Sequence, residues 1–133
     1  MIKATAYFGT TDTIYGVCIV NSDKRLYFDK LKEPRHKQSE IHFSWKLFEA
    51  TCYALNNAIK LNHTPIILEG VLPYQSVQCP HLNEGDIFPI DFIWIPKREV
   101  DWRNCNPEFL FKKQQKAEDF FIRISPKDLT TVL

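Results

Sequence analysis

The sequence predicts an α/β fold built on a single mixed five-stranded sheet, in the order three strands, helix, strand, helix, strand, helix. Three observations support this prediction. Short runs of β-branched and aromatic residues, separated by turn residues, fill the first 28 positions. A long segment with apolar residues three and four positions apart follows them. Beyond it, β-prone runs alternate with helical segments, which is typical of α/β domains.

The first three strands are predicted at residues 5–8, 14–20 and 25–28. Each run is rich in the aromatic and β-branched side chains that suit a pleated sheet. Turn residues separate the runs, at 9–12 and again at 21–23. Because short strands joined by tight turns form an antiparallel meander, we expect these three strands to be neighbours in the sheet.

A long amphipathic helix is predicted after the polar loop 30–38, with Ser39 as its N-cap. Its apolar positions recur at alternating spacings of four and three residues, which traces one stripe over about five turns. The stripe consists of Ile41, Trp45, Phe48, Cys52, Leu55 and Ile59. The helix is expected to end near residues 61–63. A helix between two strands is typical of a crossover, so the next strand is predicted to lie parallel to its neighbour.

The rest of the chain is predicted to alternate strands and helices. The apolar run 65–68 indicates the fourth strand, and a short helix is expected to start at Pro73. Asparagine and glycine mark 80–86 as a loop. The run 89–95 is the fifth strand, stopped by a proline, and the last helix is predicted at 112–121.

Length and composition predict one domain over residues 1–133, since domains most often contain roughly 100–150 residues. The formal net charge is +1, so no global basic field attracts nucleic acid or an anionic membrane. Residues 1–4 lead straight into strand-like sequence without the layout of a signal peptide. No apolar run approaches the roughly 20 residues that span a bilayer. We therefore expect a cytoplasmic protein with no membrane partner.

Three short segments, taken with this element order, resemble the ribonuclease H-like family. Residues 7–10 look like the end of the family's first strand, where an aspartate precedes a glycine and a small hydroxylated residue. Residues 93–99 are similar to the family's fifth strand and the loop after it, and 117–120 resemble the start of its last helix. The resemblance covers roughly residues 3–123 and implies an insertion at 100–111.

The resemblance implies a phosphodiester-cleaving site that holds two magnesium or manganese ions in a cluster of carboxylates. In the family these acids come from the first strand, the long helix, the end of the fourth strand and the last helix. Here Phe8 occupies the first-strand aspartate position, and its ring offers no oxygen to a metal. Asp12 is nearby in the following turn, and it misses the site by about 10 Å unless the turn doubles back.

The remaining ligand positions are only partly supplied. On the helix, either Glu49 or Leu47 falls at the ligand position, depending on the register of the alignment. Glu69 ends the predicted fourth strand, precedes a glycine, and is the best single metal candidate. Glu118 and Asp119 complete the set, because the resemblance aligns them with the start of the family's last helix. The candidate catalytic residues are Glu49, Glu69, Glu118 and Asp119, and the candidate metal ligands are Asp12 and Glu69. Because the set is incomplete, we expect no cofactor, or magnesium or manganese if these carboxylates converge.

Three basic clusters form a candidate nucleic-acid surface, because basic side chains neutralise phosphates and release counterions. They lie in the third strand and its following loop, after the fifth strand, and at the start of the last helix. Trp102 adds a ring for base stacking. The candidate nucleic-acid-binding residues are Lys24, Arg25, Arg35, Lys37, Lys97, Arg98, Trp102 and Arg103.

These residues lead to three hypotheses about function. The favoured one is a degenerate ribonuclease H-like domain, not an enzyme, that acts as a nucleic-acid-binding or scaffolding module, with an RNA–DNA hybrid or a single strand as the nucleic-acid partner. The second is an active metal-dependent nuclease that cleaves the RNA of such hybrids with Asp12, Glu69 and Asp119. The third is a protein-interaction domain with no nucleic-acid role, which uses the segment 100–111.

Overall fold

The computed structural model of the chain describes residues 2–11, 18–20, 25–28, 40–74, 76, 81–83, 87–104 and 116–126. Its strands are β1 (Lys3–Thr11), β2 (Cys18–Val20), β3 (Arg25–Phe28), β4 (Glu40–His42), β5 (Pro65–Pro73), β6 (His81–Asn83), β7 (Ile87–Pro89), β8 (Phe92–Pro96) and β9 (Phe121–Ile124). A helix, α1 (Leu47–Leu61), precedes β5, and 3-10 turns lie at Trp102–Asn104 and Ala117–Asp119. Side chains are described at residues 2–11, 43–74, 76, 90–104 and 116–126.

The main sheet contains four strands in the order β1-β5-β8-β9, and each neighbouring pair is antiparallel. The longest ladder joins β1 to β5, from Lys3 opposite Pro73 to Thr11 opposite Pro65. Smaller antiparallel sheets consist of β2-β3-β7 and of β4-β6. The segment 25–28 is a strand paired antiparallel with β2, but β1 belongs to the main sheet and, among the described residues, pairs with neither of them, so the predicted three-stranded meander is wrong.

The predicted mixed five-stranded sheet with three α-helices is wrong. The four-stranded sheet is antiparallel, and α1 is the single α-helix in the part of the chain that the structure describes. The strand after the helix was expected to lie parallel to its neighbour, but β5 runs antiparallel to β1. The element order on which the ribonuclease H-like resemblance rested is therefore not the order of this fold.

The helix does form a crossover, but it starts from a segment that the sequence did not reveal as extended. Ser44 bridges to Tyr7 of β1 in antiparallel sense, with both backbone hydrogen bonds at 2.8 Å. The Ser44 segment and β5 are each antiparallel to β1, so they are parallel to each other with β1 between them. The parallel relation that a helical crossover favours is therefore kept, one strand further apart than predicted.

The helix begins later than predicted and ends where predicted. It starts at Leu47 rather than after Ser39, because residues 40–42 form β4 and Ser44 bonds to β1. It ends at Leu61, where Asn62 adopts the left-handed conformation at φ 56° and its N–H donates to the carbonyl of Ala58. A left-handed asparagine after the last helical residue is a common helix stop.

Small residues, together with Cys52 and Leu55 of the predicted apolar stripe, carry the contact between α1 and the sheet. Ala50, Ala54 and Ala58, four residues apart, are buried, whereas Ile59 of the predicted stripe is 38% exposed. A Cβ atom at Gly9 of β1 would overlap the carbonyl of Ala50. Backbone therefore lies against backbone at this point, which requires glycine on the strand and alanine on the helix.

Several further predicted elements are corrected by strand pairing. Residues 9–11 belong to β1 instead of a turn, and Pro73 ends β5 instead of starting a helix. Part of the predicted loop 80–86 is β6. In place of the predicted last helix, the described residues contain a 3-10 turn and β9, while 112–115 lie outside the described residues. In each case, pairing with a distant strand overrode the local pattern.

Each face of the main sheet carries a hydrophobic core. The helical face packs a core against α1 that consists of Ala50, Cys52, Ala54, Leu55, Ala58, Ile67, Trp94, Trp102, Ala117 and Phe121. The opposite face carries a core of Ala6, Phe43, Ile66, Leu68, Leu72, Ile90, Ile93 and Ile95. Within the described segments, no helix has the length and apolar character needed to cross a membrane.

Candidate binding site on the helical face of the sheet

The strand register places side chains of the helical face in rows that run across the sheet. Directly paired residues point to the same face, and every second residue along a strand returns to it. One row contains Gly9, Ile67 and Trp94, which lie opposite one another on β1, β5 and β8. This row is covered by α1, as the burial of Ile67 and Trp94 and the close approach of Ala50 to Gly9 require.

The next row emerges from under the helix. Tyr7 of β1 lies opposite Glu69 of β5, and Glu69 lies opposite Phe92 of β8. Tyr7 and Phe92 are half-buried, whereas the following pair, Thr5 and Val71, is exposed. We call the surface formed by Thr5, Tyr7, Val71, Phe92 and Arg123 the open half-face.

Glu69 is the buried anchor of this row, with 6% of its surface exposed. Its carboxylate accepts three hydrogen bonds: Oε1 from Trp94 Nε1 at 2.9 Å and from Arg123 Nε at 3.1 Å, and Oε2 from Arg123 Nη2 at 2.6 Å. The guanidinium thus binds the carboxylate in the two-pronged geometry that favours this pair of side chains. A buried carboxylate satisfied in this way needs no further partner.

Arg123 reaches Glu69 across one intervening strand. It lies opposite Trp94 on β9, so its side chain runs diagonally over Phe92, and its guanidinium carbon is 3.4 Å from the centre of that ring. The hydrogen bond to Glu69 raises the pKa of Arg123 above its ordinary value, so the group keeps its charge. Its side chain is 45% exposed, and it is therefore the charged part of the open half-face that a ligand meets first.

Tyr7 completes the row as a neutral hydroxyl. Burial raises the pKa of Tyr7 above 10.0, and the negative charges of Glu69 and Glu118 raise it further, while Arg123 opposes them. The phenol therefore stays protonated near neutral pH and keeps a hydrogen-bond donor at this end of the row.

The position of Glu69 in its strand differs from the one predicted for the metal ligand. Glu69 lies in the middle of β5 rather than at the end of a strand, and Arg123 and Trp94 already occupy its oxygens. Phe8, at the position aligned with the first-strand acid, lies on the opposite face, where its ring is 5.4 Å from that of Phe43. Even an acid at position 8 would therefore point away from Glu69.

The other predicted acids that the structure describes, Glu49, Glu118 and Asp119, do not form a ligand cluster with Glu69. Glu49 lies in the first turn of α1 and accepts a hydrogen bond from Ser44 Oγ at 2.8 Å. Asp119 accepts from the backbone N–H of Lys116 at 3.2 Å, and Glu118 is exposed. Asp12 lies outside the described residues. Among the described residues, no group of three histidine, cysteine, aspartate or glutamate side chains is placed to hold a metal ion.

The structure describes the side chains of four predicted nucleic-acid-binding residues, Lys97, Arg98, Trp102 and Arg103. Trp102 is buried in the core under α1, with the Arg103 guanidinium carbon 4.3 Å from its ring centre, so it is not a surface ring for base stacking. Arg98 and Arg103 are exposed and Lys97 is half-buried. Arg25 lies on β3, where side chains are not described, and Lys24, Arg35 and Lys37 lie outside the described residues.

The described segments 97–104 and 116–119 carry equal numbers of basic and acidic side chains. The basic side chains of segments 97–104 and 116–119 are Lys97, Arg98, Arg103 and Lys116, and the acidic ones are Glu99, Asp101, Glu118 and Asp119. Asp101 also accepts hydrogen bonds from the Arg103 backbone and the Asn104 side chain. These described segments therefore present no net positive charge.

Sequence reasoning missed the partner of Glu69. Arg123 lies just after the predicted last helix, 112–121, and was given no role, although Ile122, Arg123 and Ile124 alternate between apolar and charged as in a strand. Comparison with known proteins finds no match: no protein-family model, curated protein or solved structure is similar to this chain.

Proposed function

We propose that the chain is a non-catalytic scaffolding module that binds a protein partner through the open half-face. The observation that carries the proposal is the row across the sheet, in which Tyr7, Phe92 and Arg123 stand partly exposed around the neutralised carboxylate of Glu69. Aromatic and arginine side chains held on a rigid surface are the groups that most often dominate protein–protein binding energy.

The role of Glu69 argues for binding rather than hydrolysis. A metal ion at Glu69 would have to displace Arg123, and the guanidinium charge next to the carboxylate opposes a divalent cation. The three N–H donors give Glu69 a structural role, because they join β5, β8 and β9 through one buried group. The carboxylate therefore orients Arg123 for contacts outside the chain.

The balance of charge favours protein over nucleic acid as the partner. Arg123 is paired with Glu69, and Asp91 and Glu118 add negative charge near the open half-face. A phosphate backbone needs several uncompensated cations, since counterion release drives its binding. A protein surface, in contrast, is commonly bound by aromatic rings with a mixed polar rim.

Site-specific photo-crosslinking in cells tests this proposal. A photo-reactive amino acid is placed at Thr5, on the open half-face, and in a matched control at Tyr53, on the exposed side of α1. We expect a discrete protein adduct from position 5 alone. The captured protein, once purified, is expected to bind the unmodified chain and to lose at least about tenfold in affinity for the Val71→Arg variant but not for Tyr53→Arg.

Two outcomes contradict the proposal. The first is a set of adducts that does not differ between positions 5 and 53. The second is activity on nucleic acid: cleavage of an RNA–DNA hybrid with magnesium or manganese, abolished by Glu69→Gln, would establish the nuclease hypothesis, and steeply salt-dependent binding of a single strand or hybrid would establish a nucleic-acid partner.

A further inference from the structure

Two exposed carboxylates, those of Asp91 and Glu118, border the open half-face. The Asp91 N–H donates to the carbonyl of Glu69 at 2.8 Å, so Asp91 lies directly beside the row that contains Glu69. Glu118 lies in the 3-10 turn just before β9. That turn is on the helical face of the sheet, because its first residue, Ala117, packs into the core under α1. Both acids are therefore accessible to a partner that covers the open half-face.

The charges of these two acids act on the side chains of the row. The hydrogen bond to Glu69 is the main cause that raises the pKa of Arg123; burial lowers it, and the charges of Glu69 and Asp91 raise it further. Burial is the main cause that raises the pKa of Tyr7, and the charges of Glu69 and Glu118 add to it. Asp91 is thus close to the guanidinium, and Glu118 is close to the phenol.

This end of the open half-face carries a net negative charge. Its positive charge is that of Arg123. The negative charges around it are those of Glu69, Asp91 and Glu118. In the turn, Lys116 and Asp119 have opposite charges that cancel. Lys3 lies on the same face of β1, but four residues from Tyr7, which is about 13 Å along a strand. Salt screens exposed charges beyond about 8 Å, so Lys3 compensates little of this charge.

The negative charge decides which side chain of a partner fits. A carboxylate that approaches Arg123 is repelled by three others, whereas a cation is attracted by them. The neutral phenol of Tyr7 has an oxygen that accepts a hydrogen bond from a cationic group. Val71, 39% exposed, provides apolar surface for the methylene chain of an arginine or lysine. The three N–H groups of Arg123 that do not bind Glu69 suit neutral backbone carbonyls of the partner.

We propose that the open half-face recognises a basic side chain, arginine or lysine, of the partner protein. Asp91 and Glu118 attract its charged group, and its methylene chain packs on Tyr7 and Val71. This inference rests on the proposed function for the class of partner, and it adds the residue type that the surface selects. Because the two acids are exposed, the interaction is expected to weaken as the salt concentration rises.

The test uses the unaltered chain and an end-capped peptide of the sequence serine–leucine–arginine–leucine–serine. We expect binding with a Kd of about 1 mM or tighter, measured by NMR titration. The amide signals of Tyr7, Val71 and Phe92 are expected to shift, whereas that of Tyr53, on the exposed side of α1, is expected to stay in place.

Two further peptides isolate the role of charge. Citrulline has nearly the shape of arginine but no charge, and its peptide is expected to bind at least about fivefold more weakly. A peptide with glutamate in the same place is expected to bind more weakly still, because it adds a fourth carboxylate to the site. Equal or tighter binding of either peptide would overturn the proposal.

Variants of the chain test the two acids directly. Asp91→Asn combined with Glu118→Gln is expected to weaken binding of the arginine peptide about fivefold and to leave binding of the citrulline peptide unchanged. Glu99→Gln, at an exposed acid beyond the other end of β8, is the matched control and is expected to change neither. Unchanged amide signals away from the site show that the variants fold as the parent does.

Three other outcomes would also overturn the proposal. One is the absence of arginine-peptide binding up to about 1 mM, and another is an equal loss of affinity in Glu99→Gln. The third is a shift of the Tyr7 and Val71 signals with protein concentration alone, which would identify a second copy of the chain as the occupant. Failure of the peptide together with a specific adduct at position 5 removes this inference and leaves the proposed function. Charge-selective peptide binding without such an adduct does the reverse.

Discussion

Two neighbouring rows of the main sheet, two residues apart along the same strands, are closed in different ways. Under α1, the row of Gly9, Ile67 and Trp94 is closed by backbone contact and small helical side chains. One step further, where the helix no longer covers the sheet, Glu69 and Arg123 close the next row with hydrogen bonds and an ion pair. The same sheet therefore packs against α1 through apolar contacts and, in the next row, presents a polar surface whose side chains are held by hydrogen bonds.

A substitution in the row covered by α1 is expected to lower stability more than one in the open row. In Gly9→Val, the new side chain overlaps the backbone of Ala50, which cannot move without shifting the helix. We expect the free energy of unfolding to fall by about 3 kcal/mol, at the upper end of the cost of overpacking. Urea unfolding measures this change, and Thr5→Val, on the same strand and face but exposed, is the matched control. A loss no larger than that of the control would show that α1 does not pack on β1 this closely.

The open row is expected to depend on its ion pair. Arg123→Met keeps an unbranched chain over Phe92 but leaves Glu69 buried with Trp94 as its one remaining partner among those described. We expect a loss of about 2 kcal/mol in the free energy of unfolding, because a buried carboxylate without its ion-pair partner is costly. The loss is not larger because Arg123 is partly exposed to solvent in the native chain.

A double-mutant cycle sharpens this prediction. Glu69→Gln in the Arg123→Met background removes the uncompensated charge and keeps an acceptor for Trp94, so it is expected to recover about 1 kcal/mol. Arg98→Met, at an exposed arginine, is the control and is expected to change stability by less than about 0.5 kcal/mol. If Arg123→Met were no more harmful than Arg98→Met, the pair would not be what closes this row.

The smallest expected effect is the contribution of Tyr7, in the open row, to the pH dependence of stability. Burial raises the pKa of Tyr7 above its ordinary value of 10.0, so the folded chain holds this proton more tightly than the unfolded chain. The contribution of the Tyr7 phenol to the free energy of unfolding is fully present below pH 10.0. It is lost as the pH rises through the pKa of Tyr7 in the folded chain. Tyr7→Phe is therefore expected to flatten the decline of unfolding free energy above pH 10.0, measured with urea between pH 8 and 11. An unchanged decline would show that the phenol is not buried in this row.

Local sequence patterns were sufficient where local interactions decide the structure. The strand at residues 25–28 and the helix stop at Asn62 follow from residue type and periodicity alone. The start of the helix did not, because the periodic apolar positions 41 and 45 continue into a segment that pairs with other strands. Periodicity records which side chains are apolar, and it does not record which strand competes for the backbone.

The candidate site shows the same division. Glu69 was recognisable as the most important acid, because it follows an apolar run in a predicted strand. Its position was predicted incorrectly, since the interpretation as a metal ligand assumed that the strand ended there, whereas β5 continues to Pro73 and pairs residue by residue with β1. Trp102 was likewise recognisable as a notable ring, but only packing under α1 placed it in the core.

By itself, the sequence determined the local features of this chain: its β-prone runs, one amphipathic helix and where that helix ends, because these depend on neighbours a few residues away. Only the tertiary structure decided that Glu69 meets Arg123, 54 residues later, and that Tyr7 and Phe92 flank them. The order and register of the strands determine these contacts. They arise from pairing between distant segments, for which local propensity carries no information.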